Sequence, residues 1–135
     1  MGTTHSGTCL CGAVRFEISG SFERFYLCHC SRCRKGSGSA HAANLFSSAA
    51  EITWLSGEEN TASYRVPGTR HRRSFCRSCG SALPRSEAGG AMVIVPAGCL
   101  DTPVSMKPTA HICMSSRADW DDGLNEVPRL DGLPG

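Results

Sequence analysis

Cys28-His29-Cys30-Ser31-Arg32-Cys33 sets three thiols within six residues. Cysteines one residue apart bridge poorly, because a disulfide needs a narrow range of Cα separations and facing Cβ vectors. A divalent ion, by contrast, readily gathers thiolates from one short turn. Two pairs frame this stretch, Cys9-Leu10-Cys11-Gly12 upstream and Cys76-Arg77-Ser78-Cys79-Gly80 downstream. Seven of the nine cysteines thus fall in three compact groups, and the fold must bring distant groups to common ions.

Zinc takes four thiolates in a closed structural site and keeps one position open when it does chemistry. Seven donors divide into four and three. Cys11 and Cys79 are each followed by glycine, which reaches the left-handed conformation that turns backbone N–H groups toward a thiolate; Cys33 is followed by Arg34. Cys9, Cys11, Cys76 and Cys79 are therefore read as a structural zinc site closing a long loop. Cys28, Cys30 and Cys33 are read as a labile or catalytic zinc site with its fourth position open. The competing reading fills that position with His29, His41, Cys99 or Cys113 and makes both ions structural. Cys99 and Cys113 otherwise read as small buried hydrophobes, and His29 as a side chain that supports the ligands or is solvated.

The chain has 135 residues, enough for one domain. Aromatic residues make up 7% of it and glycines number 15, so hydrophobic burial is thin and crosslinks would help. The start Met-Gly-Thr-Thr-His-Ser lacks the basic and apolar regions of a signal peptide, which favours a cytoplasmic, reduced setting in which clustered thiols bind metal or catalyse. Gly2 and Ser6 fit the myristoylation pattern formally, a match read as chance. No apolar run approaches a membrane span. A net charge of +2 does not by itself imply nucleic acid. Its placement is more informative: Arg32, Arg34 and Lys35 flank the three-thiol turn, and Arg70, Arg72, Arg73 and Arg77 flank the third group. These cations either offset thiolate charge or bind carboxylates of an anionic substrate.

Along the chain, residues 1–6 read as a flexible leader. Residues 13–19 alternate, with Val14, Phe16 and Ile18 on one side and Arg15 and Glu17 on the other, as in a half-buried strand. Further strands are expected over 22–27, 39–46, 51–55, 61–66, 70–75, 81–85, 91–95 and 109–114. Pro67-Gly68 and Glu87-Ala88-Gly89-Gly90 are hairpin turns, and one helical turn follows Cys33. Residues 97–108 read as irregular and 121–135 as a C-terminal extension in the form of a loose tail. The fold class is mainly β with little helix, in a domain over residues 7–120.

With these residues in hand, the chain resembles the glutathione-dependent formaldehyde-activating enzyme family, which is shared with centromere protein V. The matching segments are Gly7-Thr8-Cys9-Leu10-Cys11-Gly12-Ala13-Val14, Cys28-His29-Cys30-Ser31-Arg32-Cys33-Arg34-Lys35 and Phe75-Cys76-Arg77-Ser78-Cys79-Gly80-Ser81. Weaker matches are Ala97-Gly98-Cys99-Leu100-Asp101 and the stretch from His111 to Trp120. The resemblance implies a zinc-stapled β-tent of twisted antiparallel sheets. It also implies a structural zinc on Cys9, Cys11, Cys76 and Cys79, and a more labile zinc on Cys28, Cys30 and Cys33 near bound glutathione. Cys99 and Cys113 lie outside the family's zinc pattern.

The expected activity is that of a carbon–sulfur lyase or synthase joining a glutathione-like thiol to a small aldehyde such as formaldehyde. The thiol would be ionised at the open position, and His29, His41 or water would supply a proton to the product oxygen. Two rivals remain. One is a non-catalytic zinc-binding β module whose basic surface holds a protein or nucleic acid, although aromatics are not interleaved with the basic residues as single-strand binders need. The other is a metal-free thiol redox enzyme, for which the βαβ context of Cys76-x-x-Cys79 is absent.

Overall fold

The computed structural model describes residues 3–135. Its architecture is mainly β, eleven strands in three sheets with one short helix, as expected from the pattern. Met1 and Gly2, which carry the start of the proposed leader and the myristoylation match, lie outside the described residues. The rest of the leader is a correction: Thr4–Thr8 is the first strand, β1. It pairs antiparallel with β2 (Arg15–Ser19), which pairs in turn with β5 (Glu51–Ser56). On its other side the 100–102 segment is tied on, with Asp101 N–H donating to the Ser6 carbonyl at 2.7 Å and the Thr8 hydroxyl donating to Asp101 at 2.7 Å.

β2 shows why the first sheet forms. Phe16 and Ile18 are fully buried with Val14 just before them, while Arg15 faces outward, the two-residue alternation of a strand with one apolar face. Phe16 meets Trp54 of β5 edge-on at 5.9 Å, a favoured aromatic geometry. The same core takes in Leu45, Leu83, Val93 and Val95 from the other two sheets.

The second sheet holds the chemistry-bearing turn. β3 (Arg24–Cys28) pairs antiparallel with β4 (Ala42–Ser47), and β4 with β10 (Met92–Pro96), which pairs with β9 (Arg85–Glu87). At the other edge β11 (Ala110–Ile112) lies parallel to β3, so this sheet is not wholly antiparallel. The helical turn expected after Cys33 is α1 (Ser31–Ser37), which already contains Cys33.

The third sheet is β6 (Thr61–Arg65), β7 (Arg72–Cys76) and β8 (Ala82–Leu83). The strand expected over residues 81–85 is in fact two: β8 pairs with β7, then β9 pairs with β10. Pro84 stands between them, and having no N–H to give a ladder it marks the switch of sheets. Residues 122–135 are exposed throughout, and no helix of the described residues is long and apolar enough to cross a membrane.

Gly7 sits opposite Phe16 in the β1–β2 register. A methyl group there would overlap the Phe16 ring and stand 2.6 Å from the Cys99 carbonyl oxygen. Overpacking of this kind costs ~1–3 kcal/mol. Urea unfolding should therefore show Gly7→Ala destabilised by about that amount, whereas Gly98→Ala, whose methyl meets nothing within 4 Å, should unfold like the parent.

Candidate metal centres and the adjoining cavity

All nine cysteines are free, and the structure gathers seven of them into two groups. The Sγ atoms of Cys9, Cys11, Cys76 and Cys79 lie within 4.8 Å of one another, as do those of Cys28, Cys30 and Cys33. The four-and-three division read from the glycines is the division in space.

The four-thiol group joins the turn after β1 to the end of β7. Cys9 and Cys76 are buried, Cys79 is half-buried and Cys11 is exposed. Gly12 and Gly80, the residues after Cys11 and Cys79, both adopt positive φ, +84° and +77°. Their N–H groups return to the Cys9 and Cys76 carbonyls at 3.1 and 2.8 Å, closing the two turns. Val14 N–H donates to Cys9 Sγ at 3.2 Å and Asn60 Nδ2 to Cys76 Sγ at 3.5 Å. The Ser81 hydroxyl lies 3.3 Å from Cys79 Sγ and, with the Ser81 N–H, holds the Cys79 pKa down to about 5. The donor set suits a metal: Cys9–Cys11 and Cys11–Cys76 sulfur separations are 3.6 and 3.8 Å, against ~3.8 Å for the edge of a tetrahedron with metal–sulfur distances of ~2.3 Å.

The three-thiol group is built differently. Cys28 ends β3, Cys30 is the N-terminal cap of α1, and Cys33 is in its first turn. Cys30 Sγ accepts from the Cys33 N–H at 3.3 Å. Burial opposes the Cys30 thiolate, but that N–H and the Cys33 and Cys28 thiols outweigh it, and its pKa falls. Burial, reinforced by the Cys30 and Cys28 thiols, pushes Cys33 well above the usual thiol range. Held close in this way, the three thiols resist ionising together unless a cation compensates them, which is the chemistry of a metal-ligand set.

Cys28 and Cys33 open onto a cavity of about 310 Å³, whose wall also includes Arg32, Arg73, Arg85, His41 and Asn44. Arg73 stacks over the Phe75 ring at 5.1 Å, and Arg72 is tied to Glu87 at 2.7 Å. Of the cations singled out in the sequence, Arg32, Arg72 and Arg73 line this cavity, whereas Arg34, Lys35, Arg70 and Arg77 do not. Arg85 and His71 line it too and were not singled out.

His29 is neither solvated nor directed into the cavity. It is fully buried, its Nε2 is 2.8 Å from His111 Nδ1, and its Nδ1 stands 3.7 Å from Asp121, longer than a hydrogen bond. His41 packs edge-on against it at 5.1 Å. Burial and the neighbouring His29 and His111 lower the His41 pKa, so its ring is neutral at pH 7. Cys99 is half-buried against the core, its thiol pushed up to about 12 by burial. Cys113, expected to be a small buried hydrophobe, is exposed: the chain turns outward there after β11.

The family model for the glutathione-dependent formaldehyde-activating enzyme matches residues 4–116. The chain belongs to that family. The crystal structure of a Rhodobacter sphaeroides protein, a structural genomics target, superposes with a TM-score of 0.57 at 24% identity, covering 78% of this chain and 98% of the other; it supports the fold alone. Family membership covers both thiol groups and β11, which brings His111 and Cys113 beside the Cys28 turn.

The two centres should respond differently to loss of one thiol. Cys76→Ser and Cys30→Ser should each reduce bound metal from about two ions per chain to about one, measured by elemental analysis after gel filtration. Only Cys76→Ser should lower the thermal midpoint substantially, by ~10 °C for a loss of about 3 kcal/mol, because only its centre joins two sheets.

Proposed function

We propose that the protein is a zinc-dependent carbon–sulfur lyase or synthase, of the S-(hydroxymethyl)glutathione synthase type, acting on a glutathione-like thiol and formaldehyde. The observation that carries this reading is the three-thiol group at the wall of a cavity edged by arginines, in a member of a family described by that substrate pair. The place of action is the cytoplasm, where thiols are kept reduced. Zinc fits both sulfur sets, as the all-thiolate donor chemistry favours a borderline-soft tetrahedral ion.

Bound among Cys28, Cys30 and Cys33, the ion would hold an incoming thiol in its ionised form near neutral pH. The protein's own part is orientation and proton traffic. Arg32, Arg73 and Arg85 present positive charge to the carboxylates of a glutathione-like tripeptide, and stacking on Phe75 holds the Arg73 guanidinium in place. With the sulfur beside Cys28 and Cys33, formaldehyde has to meet only a positioned nucleophile, and proximity supplies much of the acceleration. The sulfur–carbon bond forms as the carbonyl π pair moves to oxygen. The thiol proton, passed to neutral His41 in the cavity wall, is returned to that oxygen. Since the His41 pKa is lowered, the protonated ring gives its proton back readily. Reversal of these steps is the lyase direction.

Isothermal calorimetry with glutathione tests the reading. The intact, metal-loaded protein should give a binding isotherm that Cys30→Ser does not, and equal heats would remove the three-thiol group from the proposal. Arg73→Gln should weaken binding by ~10-fold, the effect of losing one charge-assisted contact of about 1.5 kcal/mol.

A further inference from the structure

The function just proposed makes no use of Cys113, although the fold delivers it to the three-thiol turn. β11 lies parallel to β3 with Ile112 opposite Cys28, and the His29 N–H donates to the Ile112 carbonyl at 2.9 Å. Cys113 is the next residue. Its side chain is exposed, and its thiol lies near enough to that of Cys28 to add to the burial that raises the Cys28 pKa. It stands outside the mutual 4.8 Å set of Cys28, Cys30 and Cys33, at the edge of the group and in touch with one member.

The backbone on either side is fixed. β11 precedes it, and in the 3₁₀ turn Met114–Ser116 that follows, the Met114 carbonyl accepts from Arg117 Nη1 at 3.0 Å while Arg117 pairs with Asp122 at 2.9 Å. The freedom left to Cys113 is rotation about its own χ1, one step between staggered wells. Cys30 Sγ, by contrast, is held in its rotamer by the Cys33 N–H at 3.3 Å.

We infer that Cys113 is an exchangeable fourth sulfur donor to the ion held by Cys28, Cys30 and Cys33, closing that centre at rest and yielding its place to an arriving thiol. The inference rests on the function proposed above and adds a regulation of the same site. In the exchange one metal–sulfur bond would break and one would form: the proton of the arriving thiol goes to His41, as in the proposed reaction, and the freed Cys113 thiolate, which is exposed, takes one from solvent, so the charge of the centre is unchanged. A centre closed by a fourth thiolate holds its ion more tightly and presents no open position to adventitious ligands until a thiol arrives.

The test is cobalt(II) substitution of the full chain, native and Cys113→Ser, read by the thiolate-to-cobalt absorption and by competition with a chelator. The four-thiol centre serves as an internal measure of folding in both proteins. Cys113→Ser should lose intensity from the second centre and hold that ion at least ~10-fold more weakly, the range seen even when residues supporting a ligand are removed. Added glutathione should restore the lost intensity in Cys113→Ser and leave that of the native protein unchanged. Identical spectra and affinities in the two proteins would overturn the role of Cys113 while leaving the proposed function standing. Failure of both proteins to take a second ion would overturn the two together.

Discussion

The spacing of four sulfur atoms is the constraint on which the rest of the molecule depends. The turn after β1 and the end of β7 belong to different sheets, and Cys9, Cys11, Cys76 and Cys79 bring them together with all four sulfurs within 4.8 Å of one another, Cys11 standing from Cys9 and Cys76 at distances that suit a tetrahedral ion. Hydrogen bonds of the surrounding backbone agree with that arrangement: Leu10 N–H reaches the Ser81 hydroxyl at 2.8 Å, and Cys76 N–H reaches the Ser81 carbonyl at 3.0 Å. With few aromatics to bury, a link across so many residues has much to contribute, because closing a long loop removes more disorder from the unfolded chain than closing a short one. An ion held there would make metal binding and folding one equilibrium.

The three-thiol group uses the same ligand type under opposite conditions. Its sulfurs come from six consecutive residues, so holding them together adds little to the fold. They are half-buried and face a cavity, whereas two of the four in the other group are buried. What positions them is local. β3 carries Cys28 into place between β4 and β11, and the capped start of α1 sets Cys30 against Cys33. The arginines of the cavity wall come from separate elements, Arg32 from α1, Arg73 from β7 and Arg85 from β9, so the positive face of the cavity exists only once the second and third sheets are brought together.

How much of this was legible follows from the range over which each signal acts. Val14, Phe16 and Ile18 alternate within one strand, and their burial could be read directly. Gly12 and Gly80 announced their turns because a positive φ after a ligand cysteine is a local need. The single strand expected over residues 81–85 failed at Pro84, where the chain stays extended but the hydrogen-bonding partner changes from β7 to β10. Residues 4–6 look like a loose leader by composition and become β1 because β2 and the 100–102 segment flank them. Arg85 and His111 had no spacing of their own to mark them; the cavity and the histidine pair are made by sheet order, which no local period encodes.

The segment running from β11 to Asp121 explains why the Cys28 turn faces the way it does. Successive side chains of an extended chain point to opposite sides, so the residue between Cys28 and Cys30 has to turn away from the sulfurs. That residue is a histidine, and a buried imidazole without partners is costly. His111 and Asp121, both from this segment, flank its two ring nitrogens, and the Ile112 carbonyl takes its backbone N–H. The contact of Nε2 with His111 and the backbone bond to Ile112 hold the imidazole behind the turn, outside the cavity wall that Cys28 and Cys33 line. The same few residues that secure the imidazole also carry Cys113 to the edge of the sulfur group, which makes this strap, more than the helix, the element through which the rest of the fold acts on the site.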